Sequence, residues 1–78
     1  MIGMILKNMR LVTGWSQKEL GQKLNLADTT ISSYERENSQ ADFDTILKIA
    51  NVCGYKLFLK DKNNNIISLQ EMTKEKDF

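Results

Sequence analysis

The side chains best placed to touch a partner in this chain are short and polar. Asp28, Thr29, Thr30, Ser32 and Ser33 stand close together, with Arg36 one turn further on. On a helix running from about Ala27 or Asp28 to Arg36, Ile31 and Tyr34 point inward, and these six residues are left for solvent or a ligand. Hydroxyls this short bond a phosphate or a base edge, and a threonine methyl touches thymine, but none makes the bidentate fork of Arg or Gln. Selectivity built from them draws on water-mediated contacts and on DNA shape. Taken alone, the same row is also what an ordinary solvated helix face looks like. Its setting speaks for more. Residues 16–36 read as two short helices joined by a tight turn, the form that lays its second helix in a DNA major groove.

Other chemistry is poorly supplied. The chain has no histidine, which removes the commonest general base and metal ligand. One cysteine without histidine cannot build a zinc finger, and no metal or other cofactor is implied. There is no glycine-rich phosphate loop and no nucleophile beside an evident base, so no enzyme is expected. The lone Cys53 forms no intrachain disulfide; with no signal peptide, this favours a cytoplasmic protein. Apolar runs are too short to span a membrane.

Charge tempers the DNA reading. Eleven Lys and Arg against ten Asp and Glu leave a net charge of +1. Residues 1–41 hold five basic groups (Lys7, Arg10, Lys18, Lys23, Arg36) and four acidic ones. That balance argues against tight non-specific binding to nucleic acid. The 78 residues make one domain whose folding buries only roughly 60 to 65% of the unfolded surface, and dimerisation would add to a small core.

The elements that must position the polar row follow from periodicity. Ile2, Leu6, Met9 and Thr13 recur at helical spacing, with Ile5 and Val12 widening the apolar face, and Gly14 ends that helix. Ser16 and Glu19 form a capping box for a second helix, and Trp15 and Leu20 hold the positions of a hydrophobic staple. Trp15 thus has a structural role first; stacking on bases is the alternative. Leu20 and Leu24 face the core. Gly21, in mid-helix, predicts a close crossing by the next helix. Asn25 and Leu26 make the turn, with Leu26 plugging the angle. After a loop at Asn38, Ser39 and Gln40, a fourth helix starts at Ala41 or Asp42 and carries Phe43, Ile46, Leu47, Ala50 and Cys53 on its apolar face. Cys53 reads as a small core residue. Gly54 closes the helix.

The period then changes to 2. Tyr55, Leu57 and Leu59 share one face of a strand over residues 55–60. Asp61 to Asn65 form the turn, and residues 66–69 a second strand. Such a hairpin is marginal alone and must pack on something. The charged tail, residues 71–78, is expected to fray. The chain divides into residues 1–54, a helical DNA-binding unit; 55–70, a β-hairpin; and 71–78, the tail.

Residues 6–54 resemble the Cro/cI-type helix-turn-helix family, also called the XRE family. The resemblance is carried by Arg10, by Ser16-Gln17-Lys18-Glu19-Leu20, by Ile31-Ser32-Ser33-Tyr34-Glu35 and by Phe43-Asp44-Thr45-Ile46-Leu47, in that order and spacing. It implies a mainly α fold, a four- to five-helix lambda-repressor-like domain, here followed by the hairpin. It further implies that Gln17 bonds a DNA phosphate, that Asp28, Thr29, Ser32 and Ser33 face base edges, and that Arg10 and Glu35 form a partly buried ion pair. Thr30, Arg36, Asn38 and Gln40 are the remaining candidate phosphate contacts. Asp28 has two readings: acceptor from a cytosine amino group, or favourable charge at a helix N-terminus. Three positions depart from the family pattern. Glu37 stands where glycine is usual, Ala41 where proline is frequent, and Ala27 where a capping Ser or Thr is typical. The chain from Arg36 to Gln40 is therefore expected to take another path, with Asn38 supplying a left-handed residue.

The resemblance implies a small DNA-binding transcriptional regulator, a repressor bound to double-stranded DNA as a homodimer on half-sites about one helical turn apart. Family members resembling HipB-type antitoxins pair strands after the fourth helix between subunits. By that likeness Tyr55, Leu57 and Leu59 would be the dimer contact; the other reading folds the hairpin onto its own domain. A second function is that of an antitoxin, binding a toxin or other protein partner through residues 55–78 and repressing its own operon.

Overall fold

The computed structural model describes residues 1–74. Five helices and one hairpin follow in the order α1 (Ile2–Thr13), α2 (Gln17–Leu24), α3 (Asp28–Glu35), α4 (Phe43–Val52), β1 (Phe58–Lys60), β2 (Ile66–Ser68) and α5 (Leu69–Lys74). The mainly helical architecture with a C-terminal hairpin is the one the sequence implies.

The helices enclose one core. Leu6 and Met9 of α1, Leu20 of α2, Ile31 of α3, Ile49 and Ala50 of α4, and Cys53 are its buried members. Trp15, Leu24, Leu26, Tyr34, Ile46, Tyr55 and Leu57 pack around it, partly buried. Cys53 is the core residue its spacing indicated, and burial pushes its thiol up, with nearby Arg10 opposing weakly.

Two apolar assignments are corrected. Ile5 and Val12 do not widen the buried face of α1; both are exposed, Val12 at 71%. They lie seven residues apart, two turns along the solvent edge beside Met9 and away from Leu6 and Arg10. In α4, Phe43 is exposed and Ile49 is buried instead, so the inward face is centred on Ile49 and Ala50.

Two glycines set how closely the helices approach. A Cβ on Gly21 would run into the carbonyl oxygen of Leu26, and the Leu26 amide in turn donates to the Gly21 carbonyl at 2.8 Å. The close crossing at Gly21 is therefore made by the turn, not by the body of the next helix. A Cβ on Gly3 would stand 2.5 Å from the Glu35 carbonyl oxygen and 2.6 Å from that of Tyr34. Gly3 thus lets α1 lie against the last turn of α3.

Caps fix the helix starts. The Glu19 amide donates to Ser16 Oγ at 3.0 Å and the Ser16 amide to Glu19 Oε1 at 2.9 Å, the reciprocal box expected. For α4, Thr45 donates its amide to Asp42 Oδ1 at 2.8 Å. The α3 N-cap, Ala27, has no side chain with which to cap.

The C-terminal region differs from expectation. Only residues 58–60 of the anticipated first strand pair, in the antiparallel register Phe58–Ser68, Leu59–Ile67, Lys60–Ile66. Tyr55 and Leu57 lie before it, turned toward the core. The second strand ends at Ser68, because Leu69 begins α5. Residues 71–74, expected to fray, belong to that helix; residues 75–78 lie outside the described residues. Gln70 supplies the reason for the early end. Its Oε1 accepts from the Leu57 amide at 3.1 Å, and its Nε2 donates to the Tyr55 carbonyl at 3.2 Å. A side chain thereby occupies backbone groups that a longer strand pair would have used. The hairpin turn is closed by Asp61, whose Oδ1 accepts from the Asn63 and Asn65 amides at 2.8 and 2.9 Å.

Candidate nucleic-acid interface

The second and third helices form the helix-turn-helix. Asn25 ends α2 in the left-handed conformation at φ 57°, which turns the chain sharply into α3. Half-buried Leu26 fills the angle as expected. Buried Ile31 and Glu35 anchor the inner side of α3.

The outer side of α3 holds the candidate readers. Asp28, Thr29, Ser32 and Ser33 fall at positions i, i+1, i+4 and i+5, hence on one face, and Arg36 continues it. Asp28, Thr29 and Arg36 are exposed, while Thr30, Ser32 and Ser33 are half-buried. Asp28 occupies the first turn, where its charge favours the positive helix end left without a side-chain cap. Ser33 Oγ is engaged at 2.9 Å by Ser39 Oγ, a residue that sequence reasoning left in the loop without a role. Two serines six apart across a helix end carry no sequence signal of such a bond.

Behind this face lies a buried polar hub. Arg10 Nε donates to Glu35 Oε2 at 2.6 Å and Arg10 Nη2 to Glu35 Oε1 at 3.0 Å. This fork-on-fork pair links the end of α3 to α1. A third Arg10 nitrogen, Nη1, donates to the Trp15 carbonyl at 2.8 Å and so holds the start of α2. Gln17 completes the hub, its Nε2 donating to Glu35 Oε1 at 3.0 Å. Burial pushes the Glu35 carboxyl up, but the hydrogen bonds from Arg10 and Gln17 outweigh it and hold the group below the ordinary glutamate value of 4.5. The hydrogen bond from Arg10 to Glu35 likewise keeps the guanidinium firmly charged against the cost of its burial. No buried side-chain nitrogen or oxygen lacks a partner among the described residues. The share of Gln17 in this hub was not foreseen; only the helical environment that brings residue 17 to residue 35 reveals it.

The path after α3 is corrected in two respects, its course and its left-handed residue. Glu37, not Asn38, adopts the left-handed conformation, at φ 62°. Its amide donates to the Tyr34 carbonyl at 3.2 Å and the Asn38 amide to the Ser33 carbonyl at 2.9 Å. Those two bonds make a Schellman motif with a glutamate in the position usually filled by glycine. The chain thus keeps the turn that the glycine serves, because the two carbonyls at the end of α3 need these donors. Arg36, Asn38 and Gln40 are exposed on the resulting loop. The Glu37 carboxylate meets the Met1 ammonium at 2.6 Å, an exposed pair of small energetic weight.

Trp15 is half-buried against the core, with Lys23 Nζ 4.4 Å from its ring centroid. The staple reading accounts for it. The residues expected to make a dimer contact are divided: Tyr55 and Leu57 pack on their own core, whereas Leu59 is exposed together with Phe58, Ile66 and Ile67. Among the described residues, no cluster of three or more His, Cys, Asp and Glu is arranged to hold a metal ion, and no helix is long and apolar enough to cross a membrane.

Comparison with known proteins agrees with this geometry. The helix-turn-helix family profile matches residues 6–59. Over 51 residues the chain is 41% identical to a protein named HTH-type transcriptional regulator ImmR from Bacillus subtilis (strain 168). That match covers 65% of this chain but 40% of the relative, so the chain spans well under half of its length. No solved structure gives a significant match. With the turn between α2 and α3, the Arg10–Glu35 hub and the family profile in agreement, the chain belongs to the helix-turn-helix family, in its XRE branch.

Proposed function

We propose that this protein is a cytoplasmic, sequence-specific double-stranded DNA-binding regulator that represses transcription by occupying a promoter as a dimer. One observation carries the reading: the outer face of α3 presents Asp28, Thr29, Ser32 and Ser33 as short polar groups on a helix whose inner face is locked by Ile31 and Glu35. Asp28, Thr29, Ser32 and Ser33 face base edges. Thr30, Arg36, Asn38, Gln40 and Gln17 take phosphates. Gln17 uses one amide hydrogen on Glu35 and has a second for a phosphate oxygen, so the buried pair aims the contact. With little net charge to release counterions, affinity rests on hydrogen bonds and fit. Residues 1–54 form the DNA-binding unit, and within residues 55–70 the strands Phe58–Lys60 and Ile66–Ser68 serve association.

Selection of binding sites from random duplex DNA tests the reading. A two-fold symmetric motif with half-sites about one turn apart is the expected product. Gln17→Ala should then weaken every selected site alike, while Ser33→Ala should relax preference at one or two base pairs. Uniform loss for Ser33→Ala would remove that residue from the readers.

A second reading, an antitoxin that binds a toxin and represses its own operon, draws support from the apolar hairpin, where Phe58, Leu59, Ile66 and Ile67 are all exposed. Failure to enrich any duplex at low salt would move it to first place.

A further inference from the structure

Among the described residues, two apolar surfaces are without a partner in the chain itself. One is the outer face of α1. Met1, Met4, Ile5, Leu11 and Val12 recur there at helical spacing, on the side away from buried Gly3, Leu6 and Arg10, interrupted by Asn8 alone, and all five are exposed. A helix apolar on both sides is expected to be covered on both sides. The other surface is the hairpin. Strand alternation sends Leu59 and Ile67 to one face and Phe58 and Ile66 to the other, and all four are about half exposed. Each face of the hairpin therefore presents apolar side chains to water.

Pairing two hairpins edge to edge would lengthen the sheet but leave its faces uncovered. A flat apolar surface on which a hairpin face can lie is needed, and this chain carries one of matching character. We propose that a second copy of the chain is the partner, with the hairpin of each protomer packed across the outer face of the other's α1 about a two-fold axis. The proposal deepens the dimeric reading above and rests on it for the number of copies. Reciprocity matters here. Like-with-like contact buries one of the two surfaces, whereas exchange buries both, twice over. At roughly 100 Å² of exposed apolar surface from each of the five side chains on α1 and from Leu59 and Ile67 on the hairpin face that packs, one protomer offers about 700 Å², close to the ~800 Å² that a standard interface takes from each partner. A monomer of this size seldom leaves so much uncovered.

Sedimentation equilibrium on the full chain without DNA, at micromolar concentration, supplies the test. Val12→Glu and Ile67→Lys are made separately, then mixed in equal amounts. The wild-type chain is expected to be dimeric, and each variant alone to dissociate at least tenfold more readily. The mixture is expected to recover the dimer, because a mixed pair has one unaltered contact and one that joins Glu to Lys. A monomeric wild type overturns the proposal and the dimeric reading together. Loss with only one variant, or no recovery on mixing, overturns the exchange while leaving a dimer built another way. Met4→Lys with Leu59→Glu repeats the experiment with charges reversed, should either first variant fail to fold by circular dichroism.

Discussion

The helical body and the hairpin use apolar side chains in opposite ways. In the body, Leu20, Ile31 and Ile49 are at or below 1% exposed, and the buried ions beside them are fully bonded. In the hairpin, side chains as large stand about half in water. The difference separates side chains closed into a core from side chains of the same size left in water. A body closed in this way can hold α3 rigid, while the arm adds little to the fold of a single copy.

The sharpest attempt to break this contrast is Arg10→Ala. It leaves Glu35 buried without its cation and should cost about 3–5 kcal/mol, enough to unfold or greatly loosen so small a domain. Thermal melting by circular dichroism checks it, and an unchanged midpoint would show that the hub is not what ties the body together. Acid should act on the same hub less abruptly. The folded Glu35 carboxyl lies below its ordinary 4.5, so its contribution is complete above that pH and is lost as pH falls through the folded value. Melting temperatures measured from pH 7 down to 3 should therefore drop in the lower part of that range, and Glu35→Gln should flatten the drop.

Glu37→Gly sharpens the comparison within the body. It removes the left-handed strain of a residue with a Cβ and should raise stability by about 1 kcal/mol, read from urea unfolding. A loss would mean that the carboxylate contact outweighs the strain. The smallest effect belongs to the arm. Phe58→Ala, measured at concentrations too low for association, should change stability by no more than about 0.5 kcal/mol. A cost like that of a core truncation would erase the distinction between the two regions.

The sequence made α1 to α4 legible because each has a period, a cap or a terminal glycine. Ser16 with Glu19 announced α2 almost residue by residue, and the spacing from Arg10 to Glu35 announced the fold family. It placed Leu6 and Met9 on the inward side of α1 but not how far that side extends, because Ile5 and Val12 are as apolar as they are. The approach of α3 to Gly3 turns the helix so that Gly3, Leu6, Met9 and Arg10 are the buried residues. The outer face of α3 was legible from its spacing, since Ile31 and Tyr34 claimed the other side. Glu37 was not, because a glutamate in the left-handed region is chosen by two orphan carbonyls rather than by its own preference. Gln70 was missed for a different reason: its partners are thirteen and fifteen residues away, and amide side chains leave no periodic trace.

That glutamine has a mechanical consequence. Its two bonds sit at the root of the hairpin, and nearby the Leu69 amide donates to the Leu57 carbonyl at 2.9 Å. A hairpin fastened at its root is a lever, and a slight rotation at the fulcrum becomes a large displacement at the tip. The angle set at that root by one carboxamide fixes how far the tip stands from α3.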